Sequence, residues 1–143
     1  MKSLLMQDKI ENNMVAAKFE AGEDVIENLN TLVQKYSIKS GFIEMGIGMV
    51  KNLKIGYWNI NKYDELYIEE RCELVAFHGS IADDKNRFHI HIGVARKDHQ
   101  LYGGHFFSGV ADPLMEVKIT RFDTVKFTRK YNEKSTLNEL EIK

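Results

Sequence analysis

Four of the five histidines in the chain fall within one short stretch, Phe88 to His105, which reads FHIHIGVARKDHQLYGGH. Neutral imidazole is a good ligand for zinc and other first-row divalent ions, and three such nitrogens at about 2.0–2.1 Å leave a fourth position open for water or an anion. Water held on such an ion loses a proton near neutral pH, so an open three-histidine centre can either bind a ligand or drive hydrolysis. His89 and His91 are two residues apart. In a β-strand, residues i and i+2 share a face, so these two imidazoles point the same way.

The third ligand depends on how the chain returns. Arg96-Lys97-Asp98-His99-Gln100 has the composition of a hairpin connection between a strand ending near Ala95 and one starting near Leu101. If Arg96 pairs with Gln100 across a three-residue loop, His91 lies directly opposite His105 and the three rings meet on one face. A two-residue loop would shift the register by one and send His105 to the other side. Asp83-Asp84-Lys85-Asn86 is a turn by composition. Pairing Asp83 with Asn86 places His78 opposite His91, which makes His78 a candidate further ligand alongside water. His99, in the loop, is a solvated turn residue.

The elements that must carry this face are legible from hydrophobic period. Met14 to Glu20 reads as a strand with Val15, Ala17 and Phe19 on one side. From Gly22 the period changes to three and four through Val25, Ile26, Leu29, Leu32, Val33 and Tyr36, which predicts one amphipathic helix to about Ser37. Strands are expected over Gly41–Val50, with Gly46 and Gly48 marking a bulge or a close approach, and over Asn52–Trp58, followed by a turn at Asn59–Lys62. Tyr63 to Arg71 reads as extended and polar, and Cys72 to Ala82 as a strand with Leu74, Ala76, His78 and Ser80 sharing one side. Asp112-Pro113 is expected to break the pairing of the segment after His105, because proline has no N–H to donate. Leu114–Thr120, Val125–Arg129 and Leu137–Ile142 complete the list. The fold class is therefore α+β: an antiparallel, strongly bent sheet of about eight strands packed by one main helix. The chain is read as a single domain over residues 1–143.

Composition narrows the function classes. A chain of 143 residues, 43% hydrophobic and 29% charged, can bury a core without metal or disulfides. No apolar run approaches the roughly 20 residues of a membrane helix. Ser3-Leu4-Leu5-Met6 is too short for a signal-peptide core. With a single cysteine, Cys72, read as a small apolar filler, the expected compartment is the cytoplasm. Twenty basic against twenty-one acidic residues leave a net charge of −1, so no global positive field is available to hold DNA. Lys118, Arg121, Lys126, Arg129 and Lys130 are interleaved with Glu116, Asp123 and Glu133 and read as a solvated surface.

The runs Gly79-Ser-Ile-Ala, Phe88-His-Ile-His-Ile, Leu101-Tyr-Gly-Gly-His105 and Met115-Glu-Val-Lys-Ile119 resemble the PPC domain, the "plants and prokaryotes conserved" domain. Phe19-Glu-Ala-Gly-Glu-Asp24 and Gly46-Ile-Gly-Met-Val-Lys-Asn-Leu53 also fit, and the resemblance covers about residues 13–142. It implies an antiparallel sheet packed by a helix, assembly as a homotrimer, and a metal site at His89, His91 and His105. In plants the domain follows an Arg-Gly-Arg-Pro hook that enters the minor groove. This chain has one proline and no Arg-Gly-Arg, so the family's DNA-binding label transfers poorly.

Three functions follow, in order. The first is a homotrimeric domain that holds a divalent ion, zinc by expectation, on His89, His91 and His105, and binds a small ligand or a protein partner. The second is a metal-dependent hydrolase-like enzyme, with Glu44 and Glu116 as the strand carboxylates available for acid–base work. The third is a DNA-associated regulator.

Overall fold

The computed structural model describes residues 5–143, so the first two residues of the Ser3-Leu4-Leu5-Met6 stretch lie outside the described residues. The chain forms β1 (Gln7–Glu11), β2 (Met14–Glu20), α1 (Val25–Lys35), β3 (Gly41–Trp58), β4 (Tyr63–Ile68), β5 (Cys72–Ile81), β6 (Phe88–Ala95), β7 (Leu101–Arg121), β8 (Phe127–Asn132) and β9 (Leu137–Ile142). Among the described residues the architecture is α+β, with a bent seven-stranded antiparallel sheet, a separate β8–β9 hairpin and one helix.

In the large sheet the order is β1-β2-β7-β6-β5-β3-β4, and β3 also pairs with β7. That extra pairing closes β3, β5, β6 and β7 into a ring, so alternate residues of these strands point either into a core or outward. β6 shows this most simply: Ile90, Ile92 and Val94 are buried, while His89 and His91, which alternate with the isoleucines, are exposed. Burying such side chains contributes about 1.5–3 kcal/mol each and fixes which face carries the histidines. α1 adds Val25, Leu29, Leu32 and Val33 to the same core. Asp24 caps its N-terminus by accepting a hydrogen bond from the Glu27 N–H at 2.9 Å, and Lys35 lies in its last turn.

Several sequence expectations change in the folded chain. The two strands expected on either side of Lys51 are one strand, β3, whose register against β7 shifts at four points. Bulges absorb the irregularity without ending the strand. Gly48, at φ +132°, is one of them; a β-carbon there would meet the Leu114 carbonyl oxygen at 2.3 Å. Asp112-Pro113 does not end β7, which runs 21 residues. Pro113 sits at an exposed position with no partner in the ladders, so its missing N–H costs no hydrogen bond there.

In β5 a register shift between Leu74 and Ala76 breaks strict alternation. Leu74 is consequently buried with Phe77 and Ile81, while His78 is exposed on the outer face. β1, whose exposed and half-buried residues alternate, lies ahead of the first strand that the sequence marked.

Candidate metal centre

The hairpin β6–β7 forms with the three-residue connection. The Arg96 N–H donates to the Gln100 carbonyl at 3.0 Å, His99 takes a left-handed conformation in the exposed loop, and His91 pairs with His105. The turn before β6 is likewise in the expected phase, so Ser80 pairs with His89 and His78 with His91. These registers gather His89, His91 and His105 on the outer face of the ring. Ring centroids are 5.0 Å apart for His89–His91, 5.8 Å for His89–His105 and 6.1 Å for His91–His105. One nitrogen from each ring lies within 4.8 Å of the other two.

His105 is the most enclosed of the three. Tyr63 packs on it at 4.8 Å with planes 31° apart, and Phe107 packs edge-on at 4.8 Å. Its position depends on Gly104, at φ +157°, where a β-carbon would meet the Gly56 carbonyl oxygen at 2.5 Å. Only glycine lets β7 approach β3 that closely beside the histidine. The Nδ1 atom of His105 is buried and has no hydrogen-bond partner among the described residues. A buried polar nitrogen costs free energy unless a partner such as an ion or an ordered water engages it.

Burial, followed by the charges of His89 and His91, pushes the His105 pKa down to about 4. His89 is shifted in the same direction, first by desolvation, then by His91 and by Arg129. Both rings are thus held neutral at physiological pH, the form that can donate a lone pair to an ion. The donor set, the convergence and the unengaged nitrogen fit a divalent ion.

His78 faces His91 across β5 and β6, but it is not part of the converging group. It instead lines a cleft of about 570 Å³ next to the histidines, together with Phe42, Ile43, Glu44, Ser80, His89, His91, Thr120, Phe122 and Leu140. Glu44 in this cleft is engaged by Lys118 at 2.9 Å and by the Thr120 hydroxyl. Both partners hold its carboxyl below the usual range, Thr120 more than Lys118. It is ionised and tied down, which suits a wall better than a free proton acceptor. Glu116 is exposed and pairs in the β2–β7 and β3–β7 ladders, away from this cleft. Cys72 is buried with its thiol pKa pushed up by burial, as expected of a filler.

One residue was missed by sequence reasoning. Arg129, read as one member of a solvated basic cluster, is half-buried on β8 and reaches Ser80 at the cleft wall. Nothing in its sequence surroundings distinguishes it from its neighbours. The contact arises from the docking of the hairpin.

A bent antiparallel sheet with one packed helix, presenting three histidines whose nitrogens converge on its outer face, defines the class: a small β-rich domain with a candidate metal centre. Residues 6–123 match the Plants and Prokaryotes Conserved (PCC) domain, and the chain belongs to that family. No curated protein matches it.

Among solved structures, a Bacteroides thetaiotaomicron protein provisionally named as DNA-binding superposes with a TM-score of 0.87 at 24% identity, covering 96% of this chain and 97% of its own. A plant- and prokaryote-conserved (PPC) protein of Pyrococcus horikoshii superposes at 0.80 and 21% identity, covering 100% and 99%. A metal-containing protein of Archaeoglobus fulgidus superposes at 0.80 and 22% identity, covering 97% and 98%. At these identities the likeness is one of fold.

Proposed function

We propose that this chain is a cytoplasmic, single-domain, homotrimeric metal-binding protein in which His89, His91 and His105 hold one divalent ion, zinc, and leave a position open to a small ligand or a group on a protein partner. The observation that carries this reading is the convergence of three imidazole nitrogens, one from each of His89, His91 and His105, within 4.8 Å of one another. The metal-containing A. fulgidus relative of the same fold lends support. Zinc is favoured over calcium or magnesium because the donors are all nitrogen. An ion bound here would act as a Lewis acid toward an oxygen ligand. The chain's own residues enclose it: Tyr63 and Phe107 shield His105, and the cleft beside His89 and His91 receives the ligand.

Support for self-association comes from large apolar side chains left exposed, among them Tyr57, Leu66, Tyr67, Val75 and Leu101. The metal reading is tested by elemental analysis of untagged protein, purified without chelator, as wild type and as His91→Ala. One ion per wild-type chain and none in the variant are expected; metal-free wild type after zinc incubation would refute it. Light scattering should return three times the chain mass.

A DNA-associated role is the second reading, favoured by the name of the B. thetaiotaomicron relative. It requires retention on DNA that falls steeply with added salt. With a net charge of −1, we expect no retention even at low ionic strength.

A further inference from the structure

The C-terminal hairpin lies beyond the stretch that matches the family, residues 6–123, yet it helps build the cleft beside the histidines. β9 contributes Leu140 to the lining, and β8 contributes Arg129 behind Ser80. The guanidinium of Arg129 is anchored on main-chain oxygens. Nε donates to the Asn86 carbonyl at 2.7 Å, and Nη2 is within reach of the Arg87 carbonyl at 3.2 Å and of the Ser80 carbonyl and Oγ at 3.4 and 3.2 Å. Carbonyl oxygens orient the group but leave its unit charge uncompensated.

Among the described residues no carboxylate lies within ion-pair distance of Arg129; Asp84 acts on it only through space. The two N–H groups on Nη1 have no partner there. The one carboxylate in the cleft lining, Glu44, is already engaged by Lys118 and Thr120. A half-buried guanidinium with no carboxylate partner, beside a cluster suited to a divalent cation, concentrates positive charge behind the Ser80 wall of the cleft and favours an anionic ligand there. Ser80 strengthens the case. It is buried, and because Nη2 donates to its Oγ, its own O–H is free to donate.

The rest of the cleft gives the shape of that anion. Phe42, Ile43, Phe122 and Leu140 form an apolar wall, with Phe42 and Phe122 meeting edge to face at 6.0 Å. A strongly hydrated dianion such as phosphate would have to shed its water against this wall, which offers it no hydrogen bonds in return. An organic monoanion with a flat apolar body meets both halves.

We propose that the cleft binds a small aromatic or apolar monocarboxylate, its carboxylate at Arg129 and the Ser80 hydroxyl on the side that adjoins the histidines, and its body against Phe42, Phe122 and Leu140. This names the ligand class of the metal-centre reading and rests on it for one of the two positive centres.

The test titrates the zinc-incubated full-length chain with benzoate, followed by NMR or calorimetry, with benzamide as the uncharged isostere. Benzoate is expected to bind saturably and benzamide at least tenfold more weakly. Arg129→Gln should weaken benzoate at least tenfold with zinc content unchanged. Since Arg129 also ties the hairpin to the β5–β6 turn, Leu140→Trp provides a second probe that fills the cleft and leaves the arginine in place. It should abolish benzoate binding. Zinc bound without benzoate binding, or benzoate binding indifferent to both substitutions, overturns the proposal and leaves the metal reading standing. Arg129-dependent binding by a chain that takes up no zinc overturns the metal reading and upholds the carboxylate site.

Discussion

His91 lies directly opposite His105 across β6 and β7, while on the other side of β6 it faces His78 on β5. Three strands thus present histidine in one row, and the lateral neighbour His89 completes the converging group with His91 and His105. Because side chains alternate along β6, the residues that hold the strand in place and those that carry the chemistry are separable by substitution.

Ile90→Ala removes a side chain that is only 1% exposed, on the core side of β6. It should destabilise the protein by about 2–5 kcal/mol in urea unfolding, the usual cost of a large-to-alanine change in a packed core. His91→Ala, on the outer face, should leave metal-free stability within about 0.5 kcal/mol of wild type. Equal losses for the two would mean that the faces are not divided as described.

Gly104→Ala forces a β-carbon toward the Gly56 carbonyl at a backbone angle that L-residues rarely adopt. A loss of about 1–3 kcal/mol is expected from the strain. His105 follows directly in the chain, so zinc affinity should fall as well, at least tenfold. Unchanged stability and affinity would show that this close approach of β7 to β3 is dispensable.

Acid should weaken the metal-free protein through His105. The unfolded chain takes up this proton near pH 6.5, whereas the folded chain does so only near pH 4 because the ring is buried beside His89 and His91. Between those values the unfolded state binds more protons, so the contribution is fully present above pH 6.5 and is lost as the pH falls toward 4. Asp8, Glu44 and Asp112 have carboxyls held below their ordinary values of 3.8, 4.5 and 3.8, so their contributions fade at lower pH. Chelator-treated wild type should therefore lose stability between pH 6.5 and 4.5 more steeply than His105→Gln; parallel curves would contradict the burial assigned to this ring.

Excess zinc should stabilise wild type and spare His91→Ala. Binding to the folded state alone adds about 2.7 kcal/mol when the free ion is at 100 times its dissociation constant, enough to raise the unfolding midpoint by several degrees in a thermal scan. The same rise in both proteins would assign the effect to ions bound elsewhere.

The histidine face was legible because its determinants are local. Two turns of recognisable composition set the phase of β5, β6 and the start of β7, and the alternation in FHIHI set the face. The helix showed in its period for the same reason. What escaped depends on contacts distant in sequence. Pro113 breaks a ladder only if its N–H is needed, and it is not needed where the residue lies exposed and unpaired within β7. The continuity of β3 through Gly48 and Asn52 rests on bulges that β7 and β5 accommodate from across the sheet. Arg129 becomes distinctive only once β8 docks against Ser80, 49 residues away in the chain.

Anomalous scattering at the zinc edge, measured on crystals of untagged protein grown with zinc, tests the central claim most directly. A single strong peak among the His89, His91 and His105 nitrogens, about 2.0–2.1 Å from each, is the predicted result. Zinc-edge signal confined to other surface sites, with the three rings joined only by ordered solvent, would contradict it.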